Sequence, residues 1–397
     1  MKILSTTISI IACLQISLSI SSYGESAESV IGNETIKGYV EIQQHLWTSS
    51  GPAGAPGMQN SWPGKGEPAR LLRKRQPSVN ARRKKGLRSR EYRINEYREA
   101  AANLIKTMDR YGVERALLTP PPRTKENIQS DELDILFAVA DTYPNRFFVV
   151  GGGDELNSII QEYSPSQVTD TIKNNFREKA ERLAEKGVKA FGEMAALHLS
   201  FSDKHVFEES PADHPLFLVL ADVAAEHEIP INLHMQAVAE KMKMPGGFNL
   251  NNPATLQENI SGLERLLEHN PRTKIVWLHG GWDQTGDKSV ERIRRLLKKH
   301  PNLFISLRIE KRGRAMDGTP LSNRVVDKNF QIKEEWLDLF TEFPDRFMIG
   351  SDEFFAQAAS SRRAPQSFEE TWSIIDQLPD SLAQNIGRNN AVKIYNL

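Results

Sequence analysis

The sequence predicts an α/β chain closed into a (β/α)8 barrel, and three observations carry that expectation. Strand-like apolar runs alternate with amphipathic helical stretches along most of the 397 residues, the pattern of a parallel sheet whose crossovers are helices. Eight such units can be read, the number that closes a barrel; an open doubly wound sheet is the alternative. Five of the runs deliver a metal-competent or acid/base side chain at their carboxyl ends: His45, Glu193, His234, His279 and Asp352. Barrels of this kind carry their active sites at that end.

The predicted strands are Tyr39–Leu46, Val113–Thr119, Arg146–Gly151, Val188–Met194, Pro230–Met235, Lys274–His279, Leu303–Arg308 and Phe347–Asp352. The helices between them are Glu91–Tyr111, Asp131–Thr142, Gln167–Lys186, His214–Glu228, Leu256–His269, Lys288–His300, Lys333–Phe343 and Ser367–Leu378. Each places apolar residues at helical spacing; Leu104, Ile105 and Met108 do so in the first. Glycine stops recur where a helix hands over to a strand, as at Tyr111-Gly112-Val113 and Lys186-Gly187-Val188, because glycine takes the left-handed helix cap without a Cβ penalty.

Composition is ordinary for a globular chain, with 39% hydrophobic and 26% charged residues. Lys+Arg and Asp+Glu balance at 51 each, so overall charge points to no polyanionic partner. Residues 1–24 read as an export signal, with Lys2 ahead of an apolar stretch and small residues near Gly24. The expected product is exported, periplasmic or secreted. The single cysteine, Cys13, excludes an internal disulfide and a cysteine-rich zinc site; as a lipoprotein attachment point it would tether the chain to a membrane surface. No other segment is long and apolar enough to span a bilayer. Residues 25–37 form a linker, and 38–397 the barrel. Within it, 47–89 is a loop insertion lacking apolar period. Twelve Lys/Arg fall between Lys65 and Arg93. This stretch is a solvated flap, or else a lid, an anion-steering arm or a subunit contact. Aromatic residues are nearly absent from it, which argues against nucleic acid. The partner expected is a small-molecule substrate, with the oligomeric state open.

Strand alternation puts Glu41, Gln43 and His45 on one face, Lys189, Phe191 and Glu193 on another, and Asn232 with His234. Turned inward, Gln43, His45, Glu193, His234, His279 and Asp352 meet at the carboxyl mouth. Imidazole and carboxylate donors suit a divalent metal such as zinc or manganese. Such an ion lowers the pKa of its water to about 7, giving a nucleophile at neutral pH. Asp352 is placed to receive the proton, and His279 to polarise a carbonyl or protonate a leaving group. Arg308, inward by alternation from Ser306, suits a substrate carboxylate, with a surface pair to Glu310 as the alternative. Asn232 and Trp282 are further substrate-binding candidates. Each residue alone has an ordinary role: Asp352, for instance, would cap a following helix at Glu353–Ala359. The combination in strand order is what points to a shared site. The remaining histidines fall in helices or loops; among them, His198 follows Glu193 closely.

Val40–His45, Val188–Glu193, Ile231–His234, Val276–Trp282 and Ile349–Asp352, with the closing run Arg388–Tyr395, resemble the amidohydrolase superfamily. The resemblance is to the branch that holds amidohydrolase-related hydrolases and the aminocarboxymuconate semialdehyde and resorcylate decarboxylases. It implies a metal-dependent barrel enzyme, with His45 and His234 as ligands, Asp352 as ligand and proton acceptor, and His279 as ligand or acid/base. It implies hydrolysis of an amide, lactone or ester; decarboxylation, or ligand binding without chemistry, are the rival outcomes. One departure stands out. The first strand of the family reads Asp-x-His-x-His, whereas here Glu41-Ile42-Gln43-Gln44-His45 puts Gln43 at the first ligand position. Either Glu193 substitutes as the strong ligand, or the enzyme works without tight metal, or the pocket only binds.

Overall fold

The computed structural model describes residues 29–31, 34–36, 38–47, 90–125, 131–200, 205–246, 251–315, 318–356 and 366–397. The export segment 1–24, Cys13 and nearly all of the 47–89 insertion lie outside the described residues. Arg90 and Arg93, at the carboxyl end of the basic stretch, are described. Arg93 Nη1 lies 2.5 Å from Asp131 Oδ2 and Arg90 Nη2 lies 3.4 Å from Asp134.

Eight parallel strands close on themselves. They are β1 (Tyr39–Trp47), β2 (Val113–Leu118), β3 (Phe147–Val149, resuming at Gly151–Gly152), β4 (Phe191–His198), β5 (Ile231–Met235), β6 (Ile275–Gly280), β7 (Leu303–Leu307) and β8 (Phe347–Ile349, resuming at Glu353–Ala356). The two interrupted strands make the closure. The first half of β3 pairs with β2 and its second half with β4. The first half of β8 pairs with β7, and its second half returns to β1, with Phe354 opposite His45. The remaining pairs, β1–β2, β4–β5, β5–β6 and β6–β7, follow chain order. The doubly wound alternative is therefore excluded, because an open sheet leaves two edges and this one leaves none.

Helices α1 (Arg90–Arg110), α2 (Glu132–Thr142), α3 (Glu155–Glu162), α4 (Asp170–Glu185), α5 (Pro215–Glu226), α6 (Ile260–His269), α7 (Val290–Lys299), α8 (Glu334–Glu342) and α9 (Gln366–Trp372) form the outer ring. Their apolar faces pack against the outward strand residues Val113, Phe147, Phe191, Ile231, Ile275, Leu303 and Phe347 in one buried layer. A second, inner cluster fills the barrel: Val40, Ile42, Leu117, Val150, Val276, Leu278, Phe304 and Met348. Ala391, Ile394 and Tyr395 of the terminal helix (Asn390–Tyr395) join this inner cluster and plug the end of the barrel remote from the candidate site.

Two local readings differ from expectation. Helix α3 has no counterpart among the predicted elements: its eight residues offer too short a period to stand out. Residues Glu353–Ala356, which the alternative reading of Asp352 as a helix cap would make helical, are extended and form the closing pair with β1. Asp352 is thus not a helix cap; ladder pairing to β1 overrides the local helical preference.

Gly153, just past β3, sits where the backbone is tightest. A Cβ there would lie 2.7 Å from the Pro120 carbonyl oxygen and 2.8 Å from the Glu193 nitrogen, both backbone atoms that cannot swing aside. Gly153→Ala is expected to destabilise the fold by about 1–3 kcal/mol, read as a lower midpoint in chemical denaturation. An unchanged midpoint would contradict this packing.

Candidate active site

Strand alternation alone does not explain which side chains meet at the barrel mouth. In β1 the inward residues are Val40 and Ile42. Glu41 instead reaches the outer layer, where its Oε2 accepts from Trp372 Nε1 at 2.9 Å. The pairing register then slips between Glu41 and Gln44, and Gln43 and His45 turn to the mouth. The expected common face of Glu41, Gln43 and His45 is therefore corrected. In β4, Phe191 belongs to the outer layer, and the register slips between Phe191 and Met194, delivering Glu193 inward. In β6, Val276 and Leu278 point inward, so His279 would by alternation face out. The register shifts between Trp277 and Gly280, and His279 takes a left-handed backbone with φ of 65°. Bulges of this kind commonly re-aim side chains beside active sites. Asn232, His234, Arg308 and, counted from Met348, Asp352 follow the simple alternation.

The result is a buried cluster centred on Glu193. His234 Nδ1 lies 2.6 Å from Glu193 Oε1, and His279 Nε2 lies 3.2 Å from both that oxygen and His234 Nδ1. Glu193 Oε2 is 3.6 Å from His45 Nε2. His45 Nδ1 donates to the Thr119 carbonyl at 2.7 Å, which fixes the tautomer and turns Nε2 to the carboxylates. Nε2 is 3.0 Å from Asp352 Oδ1. Gln43 Nε2 reaches the same oxygen at 3.4 Å. Arg308 Nη1 donates to Asp352 Oδ2, and its guanidinium stacks 3.8 Å from the Trp282 ring centre. Asp352, like His279, has a left-handed backbone, φ 54°. Strained non-glycine residues of this type cluster at functional sites.

Charge follows from these contacts. Burial pushes His234 down to about 3, aided by the charge of Lys288, and pushes His279 down to about 4. Both are neutral near pH 7. Burial also opposes a proton on His45, but the hydrogen bond and charge of Asp352, with the charge of Glu193, raise it overall. For Asp352, burial favours the acid, yet the Arg308 guanidinium and the neighbouring histidines hold it well below the carboxylate range. Breaking a buried pair such as Arg308–Asp352 by removing one charge costs about 3–5 kcal/mol.

The donor set fits a divalent cation. Ligand atoms of Glu193, His234 and His279 lie within 4.8 Å of one another, as do those of His45, Glu193 and Asp352. Among the described residues, Gln43 Oε1 and His279 Nδ1 are buried without a hydrogen-bond partner. The His45 lone pair faces two carboxylates, an arrangement that requires either a proton or a cation between them.

The sequence-predicted residues are thus placed as follows. Gln43, His45, Glu193, His234, His279 and Asp352 are together. Arg308 and Trp282 stand beside Asp352, and the ion pair of Arg308 is with Asp352. Asn232 lies one layer deeper, fully buried, with its side-chain carbonyl accepting from Tyr395 Oη at 2.7 Å; this tie to the terminal helix places it away from the mouth. Two neighbours were not placed in the site by the sequence, which marked His198 only as following Glu193 closely. His198 packs edge-on against His234 with ring centres 4.2 Å apart. Glu208, paired across a short antiparallel bridge with His198, accepts from Asn157 at 2.8 Å. Spacing from Glu193 was the only signal for His198, and Glu208 offered none.

The family model described as amidohydrolase matches residues 165–397. Among curated proteins none matches this chain. Similar solved structures include 4-oxalomesaconate hydratase from Rhodopseudomonas palustris, at 14% identity and a TM-score of 0.48, covering 90% of this chain and 95% of that one. A 2,6-dihydroxybenzoate decarboxylase from Rhizobium has 14% identity and a TM-score of 0.46, with coverage of 90% and 98%. A dihydroxybenzoic acid decarboxylase from Polaromonas, solved with manganese and 2-nitroresorcinol, has 13% identity and a TM-score of 0.45, with coverage of 91% and 97%.

Burial raises the Glu208 carboxyl from 4.5 to about 8, with the Glu193 charge adding to the rise and Asn157 and Arg123 opposing it. Between those two values the folded chain holds a proton that the unfolded chain has released. Stability from this group is therefore full below 4.5 and is lost as pH rises through 8. Glu208→Gln keeps an acceptor for Asn157 without a titrating group. Its melting temperature relative to wild type is expected to climb by a few degrees between pH 5 and pH 8.5; a pH-independent difference would refute the assignment.

Proposed function

We propose, on the premise that this chain belongs to the amidohydrolase family, that it is a hydrolase cleaving an amide, lactone or ester bond of a small carboxylated molecule. The observation that carries this reading is the state of Asp352. The Arg308 ion pair and the His45 hydrogen bond keep it a carboxylate, able to take a proton from an attacking water but not to deliver one to carbon. Decarboxylation of an aromatic acid needs a proton donor at carbon, and an ionised, arginine-paired carboxylate is a poor one.

His45, Glu193, His234 and Asp352, with Gln43 as a weak neutral donor, would hold a divalent cation such as zinc or manganese. When bound, that ion supplies Lewis acidity to a carbonyl oxygen and lowers the pKa of coordinated water. The remaining steps belong to the side chains. Asp352 accepts the proton of the attacking water. Neutral His279 is available to hydrogen-bond the carbonyl, and the proton that Asp352 has taken from water passes to the leaving heteroatom. Arg308, held flat by Trp282, has donors beyond the one spent on Asp352, and these suit a substrate carboxylate in planar, bidentate fashion. Glu193 takes the role of strong ligand that Gln43 cannot fill, since an amide oxygen carries no charge.

The test is turnover of a panel of carboxylated lactones, esters and amides with zinc or manganese, following both acid release and carbon dioxide. Acid release without carbon dioxide is expected. Carbon dioxide as the product would replace this reading with a decarboxylase. His234→Ala and Asp352→Asn are each expected to lower turnover by about 100-fold or more while remaining folded, Asp352→Asn with a reduced melting temperature. Wild-type rates in both would remove the mechanism.

A further inference from the structure

We propose that Lys288 is a positioning residue for His279: its buried amino group grips the Leu278 carbonyl and thereby holds the next residue in the left-handed conformation that aims the imidazole at Glu193. Lys288 is 1% exposed. Its Nζ donates to the Leu278 carbonyl oxygen at 2.8 Å and lies 4.6 Å from the Trp277 ring centre. That carbonyl belongs to the stretch where β6 slips register against β7, between Trp277 and Gly280. A buried carbonyl at the end of a strand needs a donor, because leaving it unpaired is costly. The lysine supplies the donor.

The other side of the same residue is held as well. The His279 N–H donates to Ser306 Oγ at 3.1 Å. A left-handed backbone at a residue with a Cβ costs about 1–2 kcal/mol, so it persists only where its surroundings hold it. Lys288 is itself anchored. Its N–H donates to Asp283 Oδ2 at 3.1 Å, and Asp283 also accepts from the N–H groups of Thr285 and Gly286 at 3.1 and 2.9 Å. The Trp277 ring beneath the amino group is pinned by its own bond to the Met235 carbonyl at 2.7 Å. A chain of fixed contacts thus runs from the Asp283 turn, through Lys288, to the strand end that bears His279. A fully buried lysine amine is an expensive way to satisfy one carbonyl unless its placement serves something else.

The proposal rests on reading His279 as part of the reacting centre, but its first readout needs neither metal nor substrate. The full chain is labelled at the histidine Cε1 positions, with the His279 signal assigned through His279→Gln. Lys288→Met, which keeps most of the volume and removes the amino group, is expected to move the His279 resonance and leave that of His45 in place. Zinc affinity is expected to fall tenfold or more. Lys288→Gln, which keeps a donor on a shorter neutral chain, is expected to lie between wild type and Lys288→Met.

A wild-type His279 resonance in either folded variant would overturn the proposal. So would equal displacement of His45, His234 and His279, the mark of a general packing role. Failure of both variants to fold would also overturn it, since positioning of one imidazole is not a condition for folding. If the wild-type chain binds no zinc, the metal reading of the site falls and the resonances alone decide the role of Lys288.

Discussion

The Glu193 carboxylate, buried among three imidazoles, is the constraint to which the rest of the site answers. One of its oxygens meets His234 and His279, and the other faces His45. An isolated carboxylate in such a place is severely destabilised by lost hydration. It is tolerated because β1, β5 and β6 each bring an imidazole to it from a different direction. A barrel can do this because its strand ends form a ring around one axis, and an open sheet cannot. Asp352 completes the balance from β8, tied to Arg308 on one side and to His45 on the other. The two carboxylates share His45, so the two halves of the cluster are electrostatically linked rather than independent.

The barrel itself was legible because its signals are strong and repeated. Apolar runs of strand length alternate with helical periods, and glycine marks the returns. The strand ends were legible for the same reason: His45, His234, His279 and Asp352 each end an apolar run, and the structure gathers them. The orientation of those side chains was not. Period-two alternation places Val276 and Leu278 inward and His279 outward, yet a register slip and a left-handed residue turn His279 in. Similar slips precede Gln43 and Glu193. Such slips depend on how neighbouring strands are staggered around the barrel, which no single strand encodes. Asn232 shows the reverse case. It alternates correctly with His234, but the phenol of Tyr395, far along the chain, claims its carbonyl. His198 and Glu208 come together through a short antiparallel bridge that carries no pattern of its own.

Gln43 is the departure that gives this site its character. An amide stands where the family pattern has an imidazole, and on the proposed reading Glu193 and its histidines supply the strong donors instead. The same replacement leaves a buried acceptor, Gln43 Oε1, without a partner among the described residues. Arg308, ion-paired with Asp352 and stacked on Trp282, gives the rim of the site a flat, rigid guanidinium. The chemistry available is thus set by which groups stay charged. Asp352 remains an anion, and His234 and His279 remain neutral.

The measurement that bears most directly on this picture is equilibrium binding of zinc or manganese to the purified full chain, with Glu193→Gln beside it. Stoichiometric binding by the wild type and loss of most of that binding in Glu193→Gln are expected. Equal binding by the two proteins, or none by the wild type, would contradict the picture.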